Sequence, residues 1–235
     1  MPNRVLITGC SQGIGLALAL EFARDGWNVI ATARRSDRPA LQNAARAHAN
    51  LEVLELDVTH EPQIARAMDA AAAVDPVLDV LINNAAIFPG NGHETLESLD
   101  LEWFDEAFAT NVTGVAAVTR ASLPMLRRSA HPRIVNLSSG AGSISEKTDA
   151  LYYTYSASKA ALNMLTRTMA NELRSAEITV TAISPGWVHT EMGGPEAPVS
   201  PDDCAAVLRK TIATLTLAET GKFLDRHGDD STYAW

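Results

Sequence analysis

A phenol and an ammonium stand four residues apart at Tyr155 and Lys159. On a helix that spacing puts both side chains on one face, one turn apart. An ammonium there favours the phenolate and draws a tyrosine down from about 10 towards the pH where proton transfer is useful. The pair therefore reads as a general acid/base. Tyr152 and Tyr153 stand close by, but Ser156 and Ala157 occupy the places where each would need a lysine. The spacing is common by itself, and its weight depends on what precedes it.

Near the start, Val5-Leu6-Ile7 leads straight into Thr8-Gly9-Cys10-Ser11-Gln12-Gly13-Ile14-Gly15 and a helical pattern. Glycines at a strand-to-helix turn let the backbone approach a pyrophosphate, and the helix N-terminus supplies N–H donors. The Gly-x3-Gly-x-Gly spacing departs from GxGxxG, and a plain tight turn is the alternative. The strand–turn–helix context favours the anion site. The next strand ends in Thr32-Ala33-Arg34-Arg35-Ser36, with Asp37 beyond it. A carboxylate at the strand end would accept from the ribose of NAD, whereas arginine meets the 2′-phosphate of NADP. Arg34 and Arg35 thus imply NADP(H) over NAD, unless both are solvated surface charges.

Small and polar clusters recur at later strand ends: Asp57-Val58, Asn83-Asn84-Ala85-Ala86, Ser138-Ser139-Gly140 and Ser184-Pro185-Gly186-Trp187-Val188-His189-Thr190. Open α/β sheets bind ligands at the carboxyl ends of their strands. Of the two serines, Ser139 is preferred by its place before Gly140, with Ser138 open as the alternative.

Positioning these residues requires strands that all end on one side. Six β-like runs, at 4–8, 28–33, 51–56, 78–82, 133–137 and 179–183, alternate with helical patterns, and a weaker run covers 222–225. The helical patterns cover 14–24, 62–73, about 99–128 and about 152–174. This alternation predicts an α/β fold, a doubly wound parallel sheet of about seven strands with helices on both faces. Connections are short, so residues 1–235 read as one domain. A stripe at Ala161, Leu165, Met169 and Leu173 reads as the core face of the helix that carries Tyr155.

Apolar residues make up 46% of the chain and charged residues 20%, ordinary for a globular protein. A net charge of −9 speaks against nucleic-acid partners and anionic membranes. No signal peptide precedes Val5 and no apolar run is long enough to span a bilayer, so a cytoplasmic enzyme is expected. Cys10 and Cys204 have no metal-ligand or disulfide spacing. Cys10 reads as a small filler in the turn. His93 and His189 lack paired ligands, and no metal site is expected.

Together these residues resemble the short-chain dehydrogenase/reductase family in its compact one-domain branch, with its Rossmann fold. The resemblance runs from Val5 to Thr190. It implies a catalytic set of Asn111, Ser139, Tyr155 and Lys159. Tyr155 would be the acid, Ser139 would polarise the carbonyl, Lys159 would tune the phenol and hold the ribose, and Asn111 would hold a relay water. It also implies a nucleotide site. Gly9, Ser11, Gln12, Gly13, Ile14 and Gly15 would lie at the pyrophosphate, and Asp57 and Val58 at the adenine. Asn84 and Ala85 would line the ribose region, with Pro185, Gly186, Val188 and Thr190 at the nicotinamide.

The implied activity is NADP(H)-dependent interconversion of a carbonyl and a primary or secondary alcohol. A non-catalytic NADP-binding sensor or signalling scaffold on the same fold is the alternative. A small-molecule substrate and a homodimer or homotetramer are implied as partners. Gly186-Trp187-Val188, Met192-Gly193-Gly194 and Ala234-Trp235 resemble the C-factor and sniffer type of carbonyl reductase. Three departures stand out. Ala86 replaces the family's usual glycine, the sixteen-residue interval from Ser139 to Tyr155 is a few residues longer than usual, and Gln12 stands where NADP-preferring members often carry a basic residue, so the cofactor expectation rests on Arg34 and Arg35.

Overall fold

Apolar strands buried on both faces need helices on both sides, and the chain supplies them in alternation. The computed structural model describes residues 3–235. Strands β1 (Arg4–Ile7), β2 (Asn28–Ala33), β3 (Leu51–Glu55), β4 (Val80–Asn83), β5 (Arg133–Leu137), β6 (Thr179–Ser184) and β7 (Phe223–Asp225) form one parallel sheet. Their order is β3-β2-β1-β4-β5-β6-β7. The order reverses between β1 and β4, which opens a crevice at the carboxyl ends of those two strands.

Strand alternation divides the core into two layers. Val5, Ile7, Val80, Ile82 and Val135 face α1 (Gly13–Arg24), α2 (Pro39–Ala47) and α7 (Pro201–Thr214). Leu6, Leu81, Ile134 and Val180 face α3 (Glu61–Val74), α5 (Gly114–Leu126) and α6 (Tyr153–Leu173). Helix α4 (Glu102–Phe108) leads into α5.

Three features differ from the sequence reading. Helix α2 has no counterpart there: Leu41, Ala44 and Ala45 do stand at helical spacing, but the apolar face is one leucine and two alanines on a nine-residue helix. The helical pattern over 99–128 is broken: α4 and α5 are joined by a π-helical turn, Ala109–Thr113, with Asn111 buried inside it. Wider bonding of this kind inserts a residue without interrupting the helix, so no breaker marks it in the sequence.

The third difference is the buried stripe of α6. Met169 and Leu173 are buried as expected, but Ala161 and Leu165 are only partly so. Ser158, Leu162, Thr166 and Ala170 lie buried instead. Both polar members are partnered, and Ser158 accepts from Asn111 Nδ2 at 3.0 Å. Asn136 of β5 donates to Thr166 Oγ1 at 2.8 Å, and Asn83 of β4 donates to Asn136 Oδ1 at 2.8 Å and to Thr119 Oγ1 at 3.1 Å. This chain ties α5, β4, β5 and α6 together. No buried side-chain nitrogen or oxygen among the described residues lacks a partner, so the network stabilises its register without leaving a stranded group.

Candidate active site

The first end of the crevice is built on backbone. Gly9 and Gly13 have φ of +73° and +58°, which side chains rarely adopt. A Cβ on Gly9 would stand 2.8 Å from the Ala85 Cα, and one on Gly15 only 2.4 Å from the Gly9 carbonyl oxygen. The turn is locked from β4. Asn84 donates through Nδ2 to the Thr8 and Gly9 carbonyls at 2.8 and 3.0 Å, while Thr8 Oγ1 accepts from the Asn84 and Ala85 amides. Asn84 is thereby committed to shaping the turn. Gln12 bonds Glu191 across the mouth of the crevice.

Beyond β2, Arg34, Arg35 and Arg38 line the same crevice. Arg35 is exposed and pairs with Asp37 at 2.9 Å. Arg34 faces Asp57. That carboxyl is raised by burial and lowered by its two bonds from Thr59 and by Arg34, with a net lowering. Three arginines and two carboxylates thus meet at this end of the crevice.

The second end is built on side chains. Lys159 is 3% exposed, donates to the Leu137 carbonyl at 2.8 Å, and holds its ammonium 5.6 Å from the centre of the Tyr155 ring. Phe88 packs edge-on against both Tyr155 and Tyr152, at 5.2 and 5.6 Å. Tyr152 holds a left-handed conformation (φ 62°) at the head of α6. That conformation is strained for a bulky residue and sets where the helix begins.

The two serines take different partners. Ser138 is buried and donates to Asn163 Oδ1 at 2.6 Å, whereas Ser139 caps the 3-10 turn Gly140–Gly142 by accepting from the Ala141 amide at 3.2 Å, and its hydroxyl acts to lower the Tyr155 phenol. Asn111 accepts from the Ile87 amide and donates to the Ile87 carbonyl and to Ser158 Oγ, at 2.9, 3.0 and 3.0 Å. Its side chain thus braces the Phe88 loop against α6.

Burial, not the lysine, dominates the phenol. It pushes Tyr155 up to about 12, opposed by the bond from Ser139, and it pulls Lys159 down to about 8. The sequence reading expected the phenol to be lowered. The structure keeps it neutral instead, because both groups leave water together and each loses preference for its charged form. A neutral phenol is a proton donor in place.

A cleft of about 1370 Å³ joins the two ends. Gly9, Ser11 to Gly15, Arg34, Arg35, Asp57, Val58, Asn84, Ala85, Tyr155, Lys159, Pro185 and Thr190 all line it. Four expected residues do not line it. Asn111 is buried behind Ile87, and Ser139 caps the Gly140–Gly142 turn beside the cleft. Gly186 (φ +81°) turns the loop over Arg226, and Val188 is buried on a bridge to Val199. Sequence reasoning missed Arg38, Glu106, Thr110 and Glu191 in the lining. It also missed Asn163, whose only signal was its place one turn beyond Lys159. Cys10 is fully buried with its thiol pushed up to about 12 by burial, which makes it an inert filler.

Among the described residues, no helix is long and apolar enough to cross a membrane. The chain is 36% identical over 165 residues to C-signal of Myxococcus xanthus, covering 70% of this chain and 98% of that one. It is 34% identical over 224 residues to the NADPH-dependent pterin aldehyde reductase of Arabidopsis thaliana, covering 92% and 90%. Its structure superposes on the carbonyl reductase Sniffer of D. melanogaster with a TM-score of 0.94, at 29% identity and over the whole of both chains. The short chain dehydrogenase profile matches residues 3–199. That span runs from β1 to the loop before α7 and holds both ends of the cleft, so the chain belongs to the short chain dehydrogenase family of oxidoreductases.

Proposed function

We propose that the protein is an NADPH-dependent carbonyl reductase acting on a small organic aldehyde or ketone. The observation that carries this reading is the Tyr155 phenol. It lies in one cleft with the glycine turn, with the Lys159 ammonium 5.6 Å from its ring, and burial holds it neutral. The Arabidopsis relative is an NADPH-dependent pterin aldehyde reductase, which agrees with it.

The residues present fit a dinucleotide. Gly9 and Gly15 let β1, α1 and the Asn84–Ala85 segment approach more closely than any Cβ allows, the tight strand-to-helix turn that a pyrophosphate site requires. Ser11, Gln12, Gly13 and Ile14 complete that cradle, and Asp57 and Val58 hold the adenine end. Arg34, with Arg35 and Arg38 beside it, meets a 2′-phosphate. Ala85, Pro185 and Thr190 flank the nicotinamide end of the cleft, with Gly186 and Val188 shaping the loop around it. When bound, the nicotinamide supplies the hydride.

This chain's own residues handle the proton and the carbonyl. Ser139 donates a hydrogen bond to the carbonyl oxygen and fixes its direction. Tyr155 gives that oxygen its proton, and the product is the alcohol. Lys159, as an ammonium, stabilises the phenolate left behind. Asn111 holds the Phe88 loop and α6 in register.

The test is NADPH oxidation with a panel of aldehydes and ketones. Turnover of at least one that is lost in Tyr155→Phe supports the reading. Tight NADPH binding with no turnover on any carbonyl overturns it in favour of the non-catalytic sensor. We further propose that residues 1–235 act as one domain and that the chain pairs with itself through α4 to α6, where Leu101 and Met164 are exposed. Light scattering tests the pairing.

A further inference from the structure

Ser139 stands on a turn with almost no side chain of its own. Gly140, Ala141 and Gly142 follow it, and the turn is held by the Gly142 and Ser143 amides donating to the Ser139 and Gly140 carbonyls at 2.9 and 3.0 Å. The Gly140 amide donates to Ser184 Oγ at 3.1 Å. Such a turn needs packing from outside to keep one position, since glycines contribute none.

Part of that packing comes from α6, where Lys159 abuts Gly142 and Asn163 donates to the Gly142 carbonyl at 3.2 Å, and part from more than ninety residues further along. The Tyr233 ring lies over Gly140, so close that a Cβ there would be 2.7 Å from Tyr233 Cε1. Tyr233 stacks on Phe223 of β7 with centroids 5.1 Å apart, and Trp235 packs on the same ring at 5.6 Å. Arg167 of α6 covers Trp235 at 5.9 Å. Ser143 donates to the Ala234 carbonyl, and Ser145 to the Trp235 carbonyl at 3.1 Å. Residues 233–235 therefore join three parts of the molecule: the Ser139 turn, the enlarged loop before Tyr155, and the helix that carries Tyr155 and Lys159.

We propose that Tyr233 and Trp235 are positioning residues for Ser139, a clasp that holds its turn at the distance the Tyr155 phenol requires. The inference rests on the carbonyl reductase reading. Neither residue lines the cleft, so their effect passes through Ser139. A displacement of about 1 Å in a catalytic group can cost about 100-fold in rate, so a loosened turn registers strongly in kcat. The nucleotide turn and the arginines lie at the opposite end of the cleft and stay as they are.

The experiment compares Tyr233→Ala, Trp235→Ala and Tyr233→Phe with the unaltered full chain. Expected for both alanine variants is a fall of about 10- to 100-fold in kcat, with KM and Kd for NADPH unchanged. Tyr233→Phe restores activity, because the ring makes the packing. Ser139→Ala combined with Tyr233→Ala is no slower than Ser139→Ala alone, since both act through one group. Hydrogen exchange at 140–143 quickens in Tyr233→Ala, while exchange at 9–15 does not.

Unchanged exchange overturns the clasp. Faster exchange with unchanged kcat, or losses that simply add in the double variant, overturns the positioning role. If the unaltered protein reduces no carbonyl, the reductase reading and the positioning role that rests on it both fall. The exchange measurement then still decides the clasp.

Discussion

At the β1–β4 end of the cleft, backbone shapes the site. Gly9 and Gly15 are required by contacts of 2.8 and 2.4 Å that no side chain survives, and Asn84 pins the turn through two carbonyls. At the β5–β6 end, ordinary residues from distant segments converge: Ser139 after β5, Tyr155 and Lys159 on α6, Asn111 on the π turn, and Tyr233 from beyond β7. The contrast separates two kinds of specification. The first end is local and reads as a motif. The second depends on the sheet bringing remote parts together, and its members differ in how directly they touch the cleft.

The two ends should fail differently. The largest effect belongs to Tyr155→Phe, which removes the proposed proton donor and leaves the ring against Phe88. Loss of a positioned general acid lowers kcat by about 10²–10⁴-fold, and the Kd for NADPH stays as it was. Steady-state kinetics with a titration of NADPH fluorescence measure both. A Tyr155→Phe variant that lost binding and kept turnover would reverse the assignment of the two ends.

Gly9→Ala comes next, and it acts on the other parameter. The new methyl meets Ala85 in a left-handed backbone, a strain on the order of 1–3 kcal/mol. NADPH affinity should fall by about 10- to 100-fold, with kcat at saturation nearly retained. Circular dichroism checks that the sheet is intact. Equal losses in kcat and affinity would mean that the two ends are not separable.

Much of this division was visible in the residues. The glycine turn could be read because positive φ and close approach admit few residue types. Tyr155 could be chosen among three tyrosines by its lysine. The polar chain Asn83–Asn136–Thr166 and the Ser138–Asn163 bond could not, because asparagine and threonine on a helix face look solvated until a partner strand is placed below them. Helix α2 escaped because its apolar face is short, one leucine and two small alanines. The π turn at Asn111 escaped because it changes the hydrogen bonding and not the composition. The sign of the Tyr155 shift was out of reach as well, since spacing supplies the lysine's charge but not the burial that outweighs it.

Arg34 offers a sharper test at the nucleotide end. Arg35 is tied to Asp37, whereas the Arg34 charge is felt at Asp57 inside the cleft. A charge-assisted bond to a 2′-phosphate is worth about tenfold or more in affinity. Arg34→Ala should therefore weaken NADPH by about tenfold and leave NADH unchanged, with a smaller effect from Arg35→Ala. Equal losses for both cofactors would remove the 2′-phosphate assignment.

The smallest effect is a slope, and it belongs to the catalytic end alone. Lys159 is held down to about 8 by burial, while Tyr155 stays protonated up to about 12. Below about 8 the ammonium is present and can stabilise the phenolate that forms as the proton leaves. Above it the lysine is neutral and that stabilisation is lost, though the phenol still holds its proton. For carbonyl reduction, kcat/KM should be level below about pH 8 and fall about tenfold per unit above it. The Kd for NADPH with the nicotinamide end truncated, as in 2′-phospho-ADP-ribose, should not follow that slope. Lys159→Arg keeps its charge over the whole range, so any activity it retains should lose the alkaline fall. A fall that persists in Lys159→Arg would move the titration to another group and leave the lysine as a structural donor to Leu137.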